Sequence, residues 1–173
     1  MVHERKDGKV HEKDEARTPM GLFKNLDNVW HFKIDIACTR INCLCESGIF
    51  VNEGHDALKE PWSSYGEQYG DSAYCNPPYS PGNLEPFCKK AYEESLRGAV
   101  VVMLLPMDSS TQWFHKYCSK AYKWIIFAPR VTFNHPDGSP FSGSPKFGSF
   151  ACVFDETGRR PLSSPIVEFK RWK

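Results

Sequence analysis

Ala73-Tyr74-Cys75-Asn76-Pro77-Pro78-Tyr79-Ser80-Pro81-Gly82-Asn83 decides how this chain folds. The three apolar residues read as a short strand, the two prolines as a stiff loop, and Ser80 to Asn83 as a turn that opens a helix. Helical spacing follows: Leu84, Phe87, Cys88, Ala91, Tyr92 and Leu96 share one face, opposite Glu85, Lys89, Lys90 and Glu93. Val100-Val101-Val102-Met103-Leu104-Leu105, ended by Pro106, is then a continuous apolar run, the mark of a strand buried on both sides. Strand, loop, helix and buried strand make a βαβ unit, so the sheet is parallel at this point and Asn76 sits at a carboxyl edge, where open α/β sheets bind ligands.

Outward from this unit the reading continues in both directions. Thr18-Pro19 opens a helix through Gly21 to Leu26, with Thr18 as N-cap and Pro19 at the first helical position. Phe32, Ile34 and Ile36 alternate with Lys33 and Asp35 as a strand ending at Ala37. Thr39 to Val51 is either a short helix or an irregular crossover. Downstream, Ser109 or Ser110 caps a helix through Trp113, Phe114 and Tyr117, which with Trp124 read as core, and His115 reads as a partly exposed surface residue. Trp124 to Phe127 and Phe150 to Phe154 are strands joined without a helix, hence antiparallel. The Gly/Pro/Ser segment between them, Asn134 to Gly148, is too long for a plain connection and points to function.

Composition bounds the possibilities. The chain has 173 residues, 40% of them hydrophobic, enough for one core. Residues 1–16 are charged or polar and read as a disordered tail, 17–157 as the folded domain and 158–173 as a C-terminal extension. Neither an apolar leader nor a membrane-length run is present, and seven scattered cysteines suit reduced thiols in a cytosol. Cys38, Cys43 and Cys45, with His31 or His55, lack the two-residue spacing of zinc knuckles, so no metal is expected. The net charge of +1 leaves any nucleic-acid contact to a local patch.

The loop itself has a chemical meaning. A side-chain amide acceptor, proline carbonyls and an aromatic ring held at one mouth suit a flat substrate with an exocyclic amine. Asn76-Pro77-Pro78-Tyr79 resembles the (D/N/S)-P-P-(Y/F) loop of amino-methyltransferases dependent on S-adenosylmethionine. Further elements extend the likeness: Thr18-Pro19-Met20-Gly21-Leu22-Phe23, Asp35 on an aromatic strand, Asp56-Ala57-Leu58 before Trp62, Leu105-Pro106, Trp113-Phe114-His115 and Arg130-Val131-Thr132-Phe133. From Thr18 to Phe154 the chain resembles the phage and prophage DNA N6-adenine methyltransferase (Dam-type) family.

That resemblance implies a Rossmann-like α/β fold: a mostly parallel sheet with a final antiparallel strand and a reduced N-terminal half. It implies methyl transfer from S-adenosylmethionine to adenine N6 in DNA by in-line displacement, with base flipping and without a covalent enzyme intermediate. Asn76, Pro77, Pro78 and Tyr79 would be catalytic, the Asn76 oxygen and Pro77 carbonyl accepting the amine protons and Tyr79 stacking on the base. Thr18, Pro19, Asp35 and Asp56 would bind the cofactor. Asp35 would serve ribose hydroxyls or the methionine amine, against an ordinary strand-edge carboxylate; Asp56 would serve the cofactor adenine, against a local cap. Thr18 can both cap and line the site. Arg130 and Lys146 would touch DNA phosphates, though a surface salt bridge also accounts for Arg130, and the tail Lys170-Arg171-Trp172-Lys173 would add basic affinity or stay solvated. No Gly-rich turn follows the first strand. Rival readings are a glutamine-amide methyltransferase, an RNA adenine methyltransferase and an inactive Rossmann-like binding module. A phage-encoded enzyme would act in the host cytoplasm, modifying DNA for protection or regulation.

Overall fold

The computed structural model describes residues 14, 16–50, 55–62, 72–135, 137–142, 146–159 and 163–172, with the backbone alone at 50 and 159. The sequence readings for residues 1–13, Val51, Lys173 and the middle of the 134–148 segment fall outside them. The described chain runs α1 (Met20–Trp30), β1 (Phe32–Cys38), β2 (Ser47–Phe50), β3 (Ser72–Cys75), α2 (Leu84–Ser95), β4 (Val101–Pro106), α3 (Gln112–Lys116), β5 (Lys123–Ala128), β6 (Ser149–Phe154), α4 (Glu156–Arg159) and β7 (Ile166–Arg171).

Seven strands form one sheet in the order β2-β1-β3-β4-β6-β5-β7. Every described pairing is parallel except those of β6, which runs antiparallel to β4 and β5. The fold is thus the expected Rossmann-like α/β sheet, and the β5–β6 pair is antiparallel because its 20-odd intervening residues carry no crossover helix among those described. One feature differs: the antiparallel strand is not the last. Ile166–Arg171 continues as β7, parallel to β5 at the edge.

Alternate side chains of β4 go to opposite layers. Val101, Met103 and Leu105 join Phe87, Cys88 and Ala91 of α2 and Trp113 and Phe114 of α3, while Val102 and Leu104 join Leu22, Phe23 and Leu26 of α1. Core roles for Trp113 and Phe114 hold, Trp124 packs half-buried against them, and His115 is exposed. Leu96 lies one residue past α2 and is 52% exposed, so it leaves the apolar face on which its spacing placed it.

Two helix starts differ from expectation. Thr18 does not cap α1; Pro19 occupies the cap position, and the Thr18 hydroxyl lies 2.6 Å from that of Tyr74. Neither Ser109 nor Ser110 caps α3: Ser110 bonds Asp108 Oδ1 through both its amide and its hydroxyl, and Thr111 takes the cap position. The ambiguous crossover resolves as a turn, Thr39 to Cys43, followed by β2.

The tail is not simply solvated. Trp172 is 8% exposed, packs with Leu22, Phe23 and Phe127, and donates its indole N–H to the Pro129 carbonyl at 2.8 Å. Truncating a buried tryptophan removes its packing and leaves a void, so Trp172→Ala should cost about 3 kcal/mol. Urea unfolding measures it; an unchanged midpoint would make the C-terminal strand peripheral.

Candidate active site

β1 leads to β2 on one side, whereas β3 leads through α2 to β4 on the other, so the chain changes direction between β1 and β3. A crevice opens at the carboxyl ends of such a pair. Here it is lined by Asp35, Ala37 and Cys38 from the end of β1, Tyr74 and Asn76 from the end of β3, Asn42 and Leu44 from the following turn, and Asp14, Ala16, Arg17 and Thr18 from the N-terminal segment. Thr18, Asp35 and Asn76, far apart in sequence, are therefore brought to one cavity.

Asn76 is held by half of its amide. Its Nδ2 donates to the Ala16 carbonyl at 3.0 Å, while its Oδ1 is buried and accepts no hydrogen bond from the described residues. A buried acceptor without a donor is costly, which makes it a place for a ligand N–H. Pro77 beside it is buried and Pro78 half-buried. Tyr79 fixes its ring by donating its hydroxyl to Leu104 O at 2.8 Å, and Phe133 and Phe147 stand 5.9 and 6.0 Å from the ring centre. Burial pushes the Tyr79 hydroxyl well above the ordinary phenol range, so it stays a donor.

Asp35, which alternates with Ile34 and Ile36, is 4% exposed. Packed layers cover both faces of the sheet, so the side of β1 opposite Ile34 and Ile36 is closed off as well. The Asp35 oxygens accept the Leu44 amide at 3.2 Å and the Ala37 amide at 3.4 Å. Burial, then the neighbouring Cys43, raise its pKa to about 7, against the backbone hydrogen bonds from Leu44 and Ala37.

Asp56 is not among the cavity residues. Its Oδ1 accepts the Leu58 amide at 3.1 Å and its Oδ2 lies 3.1 Å from Lys59 Nζ, the local cap arrangement. The Lys59 hydrogen bond holds its carboxyl below the usual range. Pro19 stands at the start of α1 next to Thr18 rather than in the lining. Arg130 and Lys146 are both exposed, one just after β5 and the other beside Phe147, at the two ends of the long segment.

The N-terminal segment contributes more than its composition suggested, and the tail boundary at residue 16 moves back to Asp14 at the least. Asp14 Oδ1 accepts the Ser80 amide at 2.9 Å, Ala16 O holds Asn76, and Arg17 pairs with Asn134 through both backbone groups at 2.8 and 2.9 Å. Arg17 donates an Nη to Ile41 O, but among the described residues its buried Nε has no acceptor and Asp14 Oδ2 no donor. Sequence reading missed both residues; the basic residue directly before Thr18-Pro19 was the available signal.

A family model described as DNA N-6-adenine-methyltransferase (Dam) matches residues 6–165. The chain belongs to that family. It is 30% identical over 148 residues to the DNA N-6-adenine-methyltransferase of Escherichia phage T1, covering 85% of this chain and 57% of that protein. It is also 30% identical over 120 residues to the enzyme of the same name from Haemophilus phage HP1, covering 69% of this chain and 64% of that one. The matched region thus spans less than two thirds of either curated relative. Among the described residues no helix is long and apolar enough to cross a membrane.

The state of Asp35 in this Dam-family site is testable without any ligand. An unfolded aspartate titrates near 3.8 and the folded one near 7, so between those values the native state holds a proton that the unfolded chain has lost. Stability then falls as pH rises through that window. Asp35→Asn should flatten this part of the melting profile and make the unliganded protein more stable than wild type above pH 7. Parallel profiles for the two proteins would place the titration elsewhere.

Proposed function

We propose that the chain transfers a methyl group from S-adenosylmethionine to the exocyclic N6 of adenine in DNA. The observation that carries this reading is the unsatisfied, buried Asn76 Oδ1 at the carboxyl edge of β3, beside a cavity lined by acidic and basic side chains. The cavity suits the donor's functional groups: Arg17 Nε lacks an acceptor and fits a carboxylate, while Asp35 and Asp14 offer oxygens to an ammonium or to hydroxyls. When bound, S-adenosylmethionine would supply an electrophilic sulfonium methyl group for the amine to attack in line, the carbon–sulfur bond breaking and the thioether leaving.

The protein's part is to present the amine. Asn76 Oδ1 and the Pro77 carbonyl accept its two N–H groups, which turns the nitrogen lone pair out of conjugation and toward the methyl. Both acceptors are dipoles fixed in advance, Asn76 by Ala16 and Pro77 by its ring, so little reorganisation is needed as positive charge develops on the nitrogen. Tyr79, with Phe133 and Phe147 beside it, offers an aromatic face to a base taken out of its stack, offsetting the few kcal/mol that flipping costs. Thr18 and Asp35 serve the cofactor; for Asp56 its local hydrogen bonds favour the cap role. The 134–148 segment, with Arg130 and Lys146 at its ends, faces DNA, and a phage enzyme of this kind acts on DNA in the host cytoplasm.

Incubation with methyl-labelled cofactor and separate DNA, RNA and protein pools tests the reading. Label should appear as N6-methyladenine in DNA; label confined to RNA or protein would replace the substrate, and none in any pool would leave a binding module. Asn76→Ala should lower kcat by about 10²-fold or more while cofactor affinity holds. Near wild-type turnover would remove Asn76 from catalysis. For DNA binding, Arg130→Ala and Lys146→Ala should each weaken all sequences alike and reduce the salt slope by roughly one unit. An unchanged slope in both would put the DNA surface elsewhere.

A further inference from the structure

At the rim of the cavity the turn after β1 folds back on the strand it leaves. Asn42 locks that turn: its Oδ1 accepts the Thr39 amide at 2.6 Å and the Thr39 hydroxyl at 3.0 Å, and the Asn42 and Cys43 amides both donate to Thr39 O. Cys43 is thereby set beside Cys38, and Leu44 donates its amide to Asp35. The Asp35 carboxylate and the Cys38 and Cys43 sulfurs all lie within 4.8 Å of one another. The spacing Asp-x2-Cys-x4-Cys gave no metal signature in sequence, because a turn and a strand end, not a knuckle, bring the ligands together.

We propose that Asp35, Cys38 and Cys43 bind a divalent cation of the zinc class. Two sulfurs and one carboxylate oxygen are a borderline-soft donor set that suits zinc, and three protein ligands leave a fourth position for water or a ligand. Lying within 4.8 Å of one another, the three ligand atoms are close enough together to be drawn onto one ion. The ligands are also oriented in advance: Asp35 is held by the Leu44 and Ala37 amides and the turn by Asn42, the kind of support that positions metal ligands. The thiols now donate to the Asp35, Ile49, Cys45 and Ser47 carbonyls, and binding would release these protons as the sulfurs coordinate. Asp35 also lines the cavity, so ion and methyl donor would contend for it, a consequence that rests on the cofactor reading as the metal site does not.

Titrating the reduced full chain with cadmium alone, as a spectroscopic stand-in for zinc, should produce the ultraviolet thiolate charge-transfer band and saturate at a single equivalent, which zinc then displaces. Cys43→Ser, at a half-buried position, and Asp35→Asn should each weaken binding by at least about tenfold, with circular dichroism confirming the fold, while Cys45→Ser leaves it unchanged. No stoichiometric band, or one that survives Cys43→Ser, overturns the site. Saturating zinc should weaken S-adenosylmethionine binding in wild type and not in Cys43→Ser; equal affinity with and without zinc overturns the shared use of Asp35. A protein that takes up the ion but never binds S-adenosylmethionine would count against the methyl-donor reading alone.

Discussion

The parallel pairing of β1 with β3 is the constraint on which the rest depends. Asp35 lies opposite Tyr74 in that ladder, so the carboxylate and the loop two residues further on share one edge of the sheet. The two chains leave in opposite directions, and the space between them cannot be filled by either crossover. A crevice results from connectivity alone. What makes it a site is the side chains the two strand ends carry: a buried acid on one and an amide with an unused oxygen on the other.

The N-terminal segment closes this crevice from a third direction. Its described residues tie three parts together: the Asn76 loop through Ala16, the following turn through Asp14, and the long β5–β6 connection through Arg17 and Asn134. Each hydrogen bond contributes on the order of 1 kcal/mol net. Their value lies in geometry, since the backbone carbonyl of Ala16 orients the Asn76 amide so that its oxygen, not its nitrogen, is left for a ligand. The Thr18–Tyr74 hydroxyl pair adds a fourth anchor inside the sheet, which explains why Thr18 is buried there and unavailable as a cap.

Much of this was legible in the chain, and the failures have physical causes. The βαβ unit around residue 76 reads clearly because proline, helical spacing and an all-apolar strand agree with one another. The antiparallel β5–β6 pair followed from the missing crossover. Asp35 was recognised as a candidate, but its burial was not, because alternation along a strand does not tell whether its polar side is covered, and here both faces of the sheet are. Asp14 fell in the polar tail and Arg17 was only the first residue of the folded domain; their backbone partners, 66 residues away at Ser80 for Asp14 and at Asn134 for Arg17, are what bring them to the cavity. β7 escaped notice because Val167 and Phe169 are exposed and its alternation is weak, while Trp172, read as part of a basic tail, is the residue that anchors it.

The identity of residue 76 follows from its neighbours. Asp35 already sits in the same cavity with its pKa raised to about 7, chiefly by burial. A further carboxylate lining that space, beside Asp35 and Asp14, would be repelled by them and driven to take up a proton, surrendering acceptor capacity at the position proposed to hold the amine. A carboxylate would also meet the Ala16 carbonyl, acceptor against acceptor, where the Asn76 amide now donates. An amide avoids both conflicts. It leaves one oxygen open to a ligand N–H, uses its nitrogen to stay in place, and adds no charge to a pocket that already holds more acid than its burial favours. On the proposed methyl-transfer reading, the amine's proton would leave after the methyl has transferred, because neither Asn76 nor the Pro77 carbonyl can take it, and the orientation of the lone pair would be what the loop contributes to the rate.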